Sequence, residues 1–178
     1  MRIIDFWTQN ELPKLSDLPD LGANELKKYN TLGSKFQCFA LTYNGKSLFD
    51  VLKLSKQLPE NTEKGYCSVR CAAQIGIELT KSIKELHDLG YLHLDIKPDN
   101  ILIDNMNSGK LCIIDFGISE KYIDQNGNQL PPKSLVNIAG NLVYMSKNAF
   151  SFQSQSRCDD LIGIVYMLIE FVNGRLPW

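Results

Sequence analysis

The sequence lacks a hydrophobic run long enough to cross a membrane. Its longest apolar stretch, 161–169, is closed by Glu170 and falls well short of the about 20 residues that a spanning helix needs. The first residues do not form a secretory signal either, because Asp5, Gln9 and Glu11 interrupt them. We therefore expect no membrane partner and a location in the cytoplasm, in the nucleus or in both.

An excess of charge of one sign is also missing. The 19 Lys and Arg residues nearly balance the 20 Asp and Glu residues, which leaves a net charge of -1. A nucleic-acid partner held by bulk charge is therefore not expected. The hydrophobic fraction of 44% is enough for a folded core, and 178 residues allow one domain of ordinary size.

Cysteine and histidine are scarce, with five and two residues. Only Cys67 and Cys71 lie close together, and no second pair follows them at the spacing of a zinc site. We interpret all five as buried, reduced thiols of a reducing compartment. They are Cys38, Cys67, Cys71, Cys112 and Cys158.

Hydrophobic spacing predicts a mixture of helices and short strands. Apolar residues recur at steps of three and four from Val69 to Leu86, which predicts a helix over 68–89 that ends before Gly90. The segment 160–172 is apolar nearly all round, which is typical of a helix buried on every side. A short helix is predicted over 47–52, and strands over 36–43, 91–93, 101–103 and 111–114.

Two polar clusters interrupt the predicted strands. Asp95, Lys97 and Asn100 lie in the loop 93–100, and Asp115 opens an Asp-Phe-Gly sequence directly after a strand. Each cluster alone is also typical of a turn. Together they supply the groups that phosphoryl transfer requires: a carboxylate to orient a hydroxyl, a cation, and oxygen ligands for magnesium.

These clusters resemble the catalytic and magnesium-binding loops of eukaryotic protein kinases, and Lys97 is similar to the lysine of the serine/threonine type. The segment 140–148, Gly-Asn-Leu-Val-Tyr-Met-Ser-Lys-Asn, is similar to Gly-Thr-Ala-Arg-Tyr-Ala-Ser-Ile-Asn of the casein kinase I family. The segments 155–161 and 174–178 resemble the next helix of that family.

The resemblance implies an α+β, protein-kinase-like fold that consists mostly of the helical large lobe. The chain is thus identified as a partial protein kinase domain of the casein kinase I family. Residues 1–44 would be a remnant of the small-lobe sheet and the hinge, and residues 45–178 a large lobe that ends after the buried helix. The cofactors implied are ATP and Mg²⁺.

The resemblance also implies roles for individual residues. Asp95 would be the catalytic base, Lys97 would contact phosphate, and Asp160 would anchor the catalytic loop. The residues implied to bind the nucleotide or its metal are Leu41, Thr42, Tyr43, Asn44, Lys97, Asn100 and Asp115, of which Asn100 and Asp115 would bind magnesium.

Three further positions concern the substrate and its control. Arg157 would contact an acidic or phosphorylated substrate, although an ordinary surface charge is an equal interpretation. Asn141 stands where the family has a threonine that supports the catalytic Asp and Lys. Leu94 replaces the arginine that usually pairs with a phosphate in the activation segment, so control by such a phosphate is not expected.

Three functions therefore compete. The first is a serine/threonine kinase of casein kinase I type, which transfers the γ-phosphate of ATP to Ser or Thr of acidic or primed protein substrates. The second is an inactive kinase-like binding module, and the third is a small-molecule phosphotransferase. The presence of Asp95, Lys97, Asn100 and Asp115 together favours the first.

Residues 1–35 bear on activity, because they contain no glycine-rich phosphate loop and no lysine-bearing strand of the kinase type. We interpret 2–6 as the end of the helix that carries the partner Glu of that lysine. These 178 residues are therefore expected to bind Mg-ATP weakly.

Overall fold

A computed structural model describes residues 3–8, 37–41, 45–56, 65–103, 110–133 and 139–178. The chain divides into two compact units, Met1–Tyr43 and Asn44–Trp178. Within the described ranges, no helix combines the length and the apolar character needed to cross a bilayer.

The first unit contains one antiparallel pair of strands, β1 (Ile3–Thr8) and β2 (Gln37–Leu41). The predicted strand at 36–43 is confirmed by β2. The interpretation of 2–6 as a helix end is wrong for its described residues, because 3–6 lie in β1, whose β-branched and aromatic residues favour strands. Leu41 ends β2, and Thr42, Tyr43 and Asn44 lie outside the described residues.

The second unit contains four α-helices, a 3-10 turn at Pro98–Asn100 and two short antiparallel strand pairs within its described residues. The pairs join β3 (Tyr91–Leu92) to β6 (Glu120–Lys121) and β4 (Ile101–Ile103) to β5 (Leu111–Ile113). The helices are α1 (Leu48–Ser55), α2 (Val69–Asp88), α3 (Lys147–Phe150) and α4 (Arg157–Asn173). This mixture of helices and short antiparallel strand pairs confirms the α+β class.

Helix α2 begins at the predicted place because the Ser68 side chain accepts a hydrogen bond from the Cys71 amide. Its buried face consists of Ala72, Gly76, Leu79, Ile83 and His87, and it packs against α4. Val69, expected on this face, is 69% exposed. The core around α2 contains Leu48, Leu52, Leu79, Ile83, Ile96, Ile101, Ile113, Ile164, Met167 and Phe171.

Helix α4 is not buried on every side, which corrects the expectation from its apolar sequence. Leu161, Val165 and Ile169 are 38%, 50% and 39% exposed, and their four-residue spacing places them on one face. The opposite face buries Ile164, Met167 and Phe171. Composition thus predicted a buried helix, whereas the described neighbours cover only one of its sides.

The four cysteines whose side chains the structure describes also differ from the expectation of burial, whereas the Cys38 side chain lies outside the description. Cys71 and Cys158 are exposed, and Cys67 is half-buried. Burial, with a smaller contribution from the neighbouring Cys71 thiol, raises the pKa of Cys67 to about 12. Because the thiolate is the reactive form, Cys67 is a poor nucleophile.

Candidate active site

The loop 93–100 is fixed by one buried carboxylate from α4. Asp160 Oδ2 accepts hydrogen bonds from the His93 amide at 2.9 Å and from His87 Nε2 at 2.8 Å. Asp160 Oδ1 accepts from the Leu94 amide at 2.8 Å. Asp160 therefore anchors the backbone directly before Asp95, as the resemblance implied.

Asp95, Lys97 and Asn100 meet within this loop. Lys97 Nζ lies 2.6 Å from Asp95 Oδ2. Asn100 Nδ2 donates to the same oxygen and to the Asp95 carbonyl oxygen, each at 2.9 Å. Two donors therefore hold one oxygen of the Asp95 carboxylate and orient its plane.

The other carboxylate oxygen, Asp95 Oδ1, is buried and has no hydrogen-bond partner in the described part of the chain. Gly140 approaches it closely with a φ of +94°, and a Cβ there would lie 3.5 Å from Oδ1 and 2.6 Å from the Leu94 carbonyl oxygen. Only glycine fits this position without strain. An unpartnered carboxylate oxygen is suited to accept a proton from a hydroxyl placed beside it.

Asp115 is brought to the same end of the hairpin as Asn100 by the β4–β5 pairing. The amide of Ile114 donates to the Asn100 carbonyl oxygen at 2.9 Å. Asp115 is exposed, has a φ of 64°, and accepts one backbone hydrogen bond, from Gly117 at 3.3 Å. Its remaining lone pairs can therefore serve a ligand.

The oxygens of Asn100 and Asp115 fit a magnesium ion. Mg²⁺ takes hard oxygen ligands and commonly uses one or two protein groups together with phosphate and water. Among the described residues, no group of three or more His, Cys, Asp and Glu side chains forms a metal cage. Two protein oxygens hold a magnesium ion only together with further oxygen ligands, such as those of water or phosphate.

His93 lies beneath the site in a neutral form. Its Nε2 lies 3.0 Å from the Ile114 carbonyl oxygen, its Nδ1 accepts from the Asp95 amide at 3.3 Å, and its ring meets Phe116 edge-on at 5.2 Å. Burial lowers the pKa of His93 below its ordinary value. The neutral ring, protonated on Nε2, thus links both polar clusters.

Asn141 does not form the hydrogen bonds to Asp95 and Lys97 that the resemblance assigns to the family's threonine. Its Oδ1 accepts from the Val143 amide at 2.8 Å, and no hydrogen bond to Asp95 or Lys97 is found among the described residues. Asn141 and Asp95 instead line a common cavity of about 20 Å³. This volume suffices for one water molecule.

Arg157 begins α4 on the exposed surface, with its guanidinium carbon 5.3 Å from the centroid of the Tyr122 ring. It pairs with no carboxylate in the described ranges, so its charge is available to a ligand. Leu41 lies in the first unit and the segment 42–44 outside the described residues, so neither is placed relative to Asp95.

Sequence reasoning missed two residues that shape the site. His87 was not singled out, although it follows Ile83 by four residues and thus continues the buried face of α2. The close approach of Gly140 depends on a contact with residues more than 40 positions earlier, for which the sequence contains no local signal.

Comparisons with known proteins agree with this geometry. The model of the protein kinase domain family matches residues 26–178. A probable serine/threonine-protein kinase of Dictyostelium discoideum is 37% identical over 117 residues, which are 64% of this chain and 23% of that protein. A probable casein kinase I homolog of Encephalitozoon cuniculi (strain GB-M1) is 37% identical over 109 residues, which are 61% of this chain and 34% of that protein.

The chain therefore spans less than two thirds of the length of either relative. The family match nevertheless covers most of the chain and includes every residue of the loop that holds Asp95. The chain belongs to the protein kinase domain family.

Proposed function

We propose that the protein transfers the γ-phosphoryl group of ATP to serine or threonine hydroxyls of proteins. The observation that carries this proposal is the Asp95 carboxylate, with Oδ2 held by Lys97 and Asn100 and Oδ1 buried and unpartnered. A substrate hydroxyl that hydrogen-bonds to this carboxylate would be oriented for in-line attack on the γ-phosphorus and would give up its proton to the carboxylate as ADP leaves.

Lys97 would contribute charge to the same step. Its ammonium group is partly buried and already lies beside the carboxylate that meets the hydroxyl. A cation at this place offsets negative charge on the phosphoryl group as it moves toward the acceptor. Lys97 also has two further N–H donors available besides the one directed at Asp95.

Magnesium would supply charge neutralisation of the nucleotide phosphates when bound. Asn100 and Asp115 are the residues that would hold it, because both present side-chain oxygens at the same end of the β4–β5 hairpin. Leu41, Thr42, Tyr43 and Asn44 are proposed to meet the adenine, as the family resemblance implies.

The more specific proposal is a kinase of casein kinase I type that acts on acidic or primed substrates. The similarity of 140–148 to that family and the relative from Encephalitozoon cuniculi support it. Arg157 supports it as well, because its exposed guanidinium has no acidic partner among the described residues.

Replacement of Arg157 by alanine tests this specificity. We expect KM for an acidic Ser peptide to rise several-fold with little change in kcat, since an exposed charge acts mainly on encounter and binding. The measurement is the initial rate of phosphate transfer from Mg-ATP by the full-length protein to acidic, phosphorylated and neutral peptides.

Arg70→Ala is the matched control, because Arg70 is exposed on α2. Equal rates on acidic and neutral peptides would contradict acid-directed specificity. Absence of transfer to every peptide would contradict kinase activity and would favour the inactive binding module.

A further inference from the structure

A cavity of about 610 Å³ opens beside the catalytic loop, within the range of ligand pockets. Its lining includes Leu94, the residue before Asp95. It also includes Gly117 and Ile118, which lie two and three positions after Asp115. Leu94 and Gly117 thus place part of the wall one residue from Asp95 and two residues from Asp115 along the chain.

Much of this wall is apolar. Leu94 is half-buried and fixed in direction, since its backbone adopts a φ of 69° and its amide is held by Asp160. A positive φ is uncommon for leucine, so the surrounding hydrogen bonds determine this conformation. The other apolar lining residues are Leu92, Ile118, Leu130, Pro131 and Pro132.

The charged lining residues are mostly cationic. Glu120 forms an ion pair with Lys133. Lys121 and Arg157 pair with no carboxylate in the described part of the chain. Lys121 Nζ lies 5.5 Å from the centroid of the Tyr91 ring, and the Arg157 guanidinium carbon lies 5.3 Å from that of Tyr122. The remaining positive charge is complementary to an acidic ligand.

We propose that this cavity binds the substrate peptide beside its phosphoacceptor and that Leu94 makes it select an apolar side chain next to acidic residues. This inference rests on the proposed kinase activity. Leu94 contributes an apolar surface to this wall, and an apolar surface desolvates a bound charge without pairing it. The occupant is therefore an acidic peptide with one apolar anchor within three residues of its Ser or Thr.

A peptide series tests the proposal on the full-length protein. Each Ser peptide has an acidic background and carries Leu, Glu, phosphoserine or Ala at one of the three positions on either side of the Ser. At one of these positions we expect Leu to raise kcat/KM about tenfold over Ala, the effect of moving one leucine side chain from water into an apolar site. Leu94→Ala should remove this preference, mainly through KM, and Leu94→Arg should replace it by a preference for Glu or phosphoserine.

Leu89→Ala is the matched control, because Leu89 is 74% exposed at the end of α2. This variant should keep the full preference for Leu. A wild-type preference for Glu or phosphoserine at all six positions, or a preference for Leu that survives in Leu94→Ala, would overturn the proposal.

Binding of the same peptides with the acceptor Ser replaced by Ala separates this inference from the kinase activity. Fluorescence anisotropy should show tighter binding of the Leu peptide and a loss of that difference in Leu94→Ala. If the Leu peptide binds more tightly but no phosphate is transferred, the peptide-binding role of the cavity would be supported and the proposed kinase activity would be refuted. Equal binding of all peptides would overturn the cavity assignment whether or not transfer occurs.

Discussion

Asp95→Asn is expected to lower kcat for phosphate transfer by about 10²–10⁴-fold, the usual contribution of a general base. In barrier height this is about 2.7–5.4 kcal/mol. The amide keeps the shape of the side chain but cannot accept the proton that the buried Oδ1 is placed to receive. It also removes the anionic partner of Lys97, so the orientation of both groups is weakened.

Steady-state kinetics with a Ser peptide measure this loss, and a matched control lies in the same loop. Asp99 is exposed in the same loop, so Asp99→Asn should keep kcat within about twofold, as expected for the substitution of a surface carboxylate. A similar kcat for Asp95→Asn and Asp99→Asn would show that Asp95 is not the base.

Asp160→Ala is expected to lower the free energy of unfolding by about 3–5 kcal/mol, the cost of breaking a buried, hydrogen-bonded charged group. The substitution removes the acceptor of three donors, the amides of His93 and Leu94 and His87 Nε2. Those donors would remain buried without partners, which is more costly than the loss of the bonds themselves. Urea unfolding followed by circular dichroism measures the change.

Asp88→Ala is the control, because the Asp88 carboxylate is 63% exposed and, among the described residues, pairs with Lys84 alone on the surface of α2. Its loss should stay below about 1 kcal/mol. Asp160→Asn provides a second variant, which keeps one acceptor oxygen and should show an intermediate loss. Equal losses in Asp160→Ala and Asp88→Ala would contradict the anchoring role.

The parts of the fold that follow from local spacing could be predicted from the sequence. Helix α2 was expected over 68–89 and is found at Val69–Asp88, because its apolar residues and its Ser68 cap are read within one segment. The same holds for the loop that joins Asp95, Lys97 and Asn100, which lie within six consecutive residues. Residues this close in sequence can meet within one short loop, independently of how distant parts of the chain pack.

The parts that depend on distant contacts could not be predicted in this way. The exposed face of α4 shows this, because Leu161 and Ile164 are equally apolar in sequence and only packing separates them. The bond between His87 and Asp160 joins residues 73 positions apart. Residues 2–6 were assigned to a helix from the order of elements in the kinase family, since a segment this short has too little periodicity to distinguish helix from strand.

The proposed kinase activity is tested most directly by measuring phosphate transfer by the full-length protein and by its Asp115→Asn variant. The substrate is an acidic Ser peptide, the donor is Mg-ATP labelled on the γ-phosphate, and the product is identified as phosphoserine. We expect labelled phosphoserine with the wild-type protein and with Asp99→Asn, and none above background with Asp115→Asn, because that variant loses the anionic magnesium ligand. Undiminished transfer by Asp115→Asn, or no transfer by the wild-type protein, would contradict the proposal.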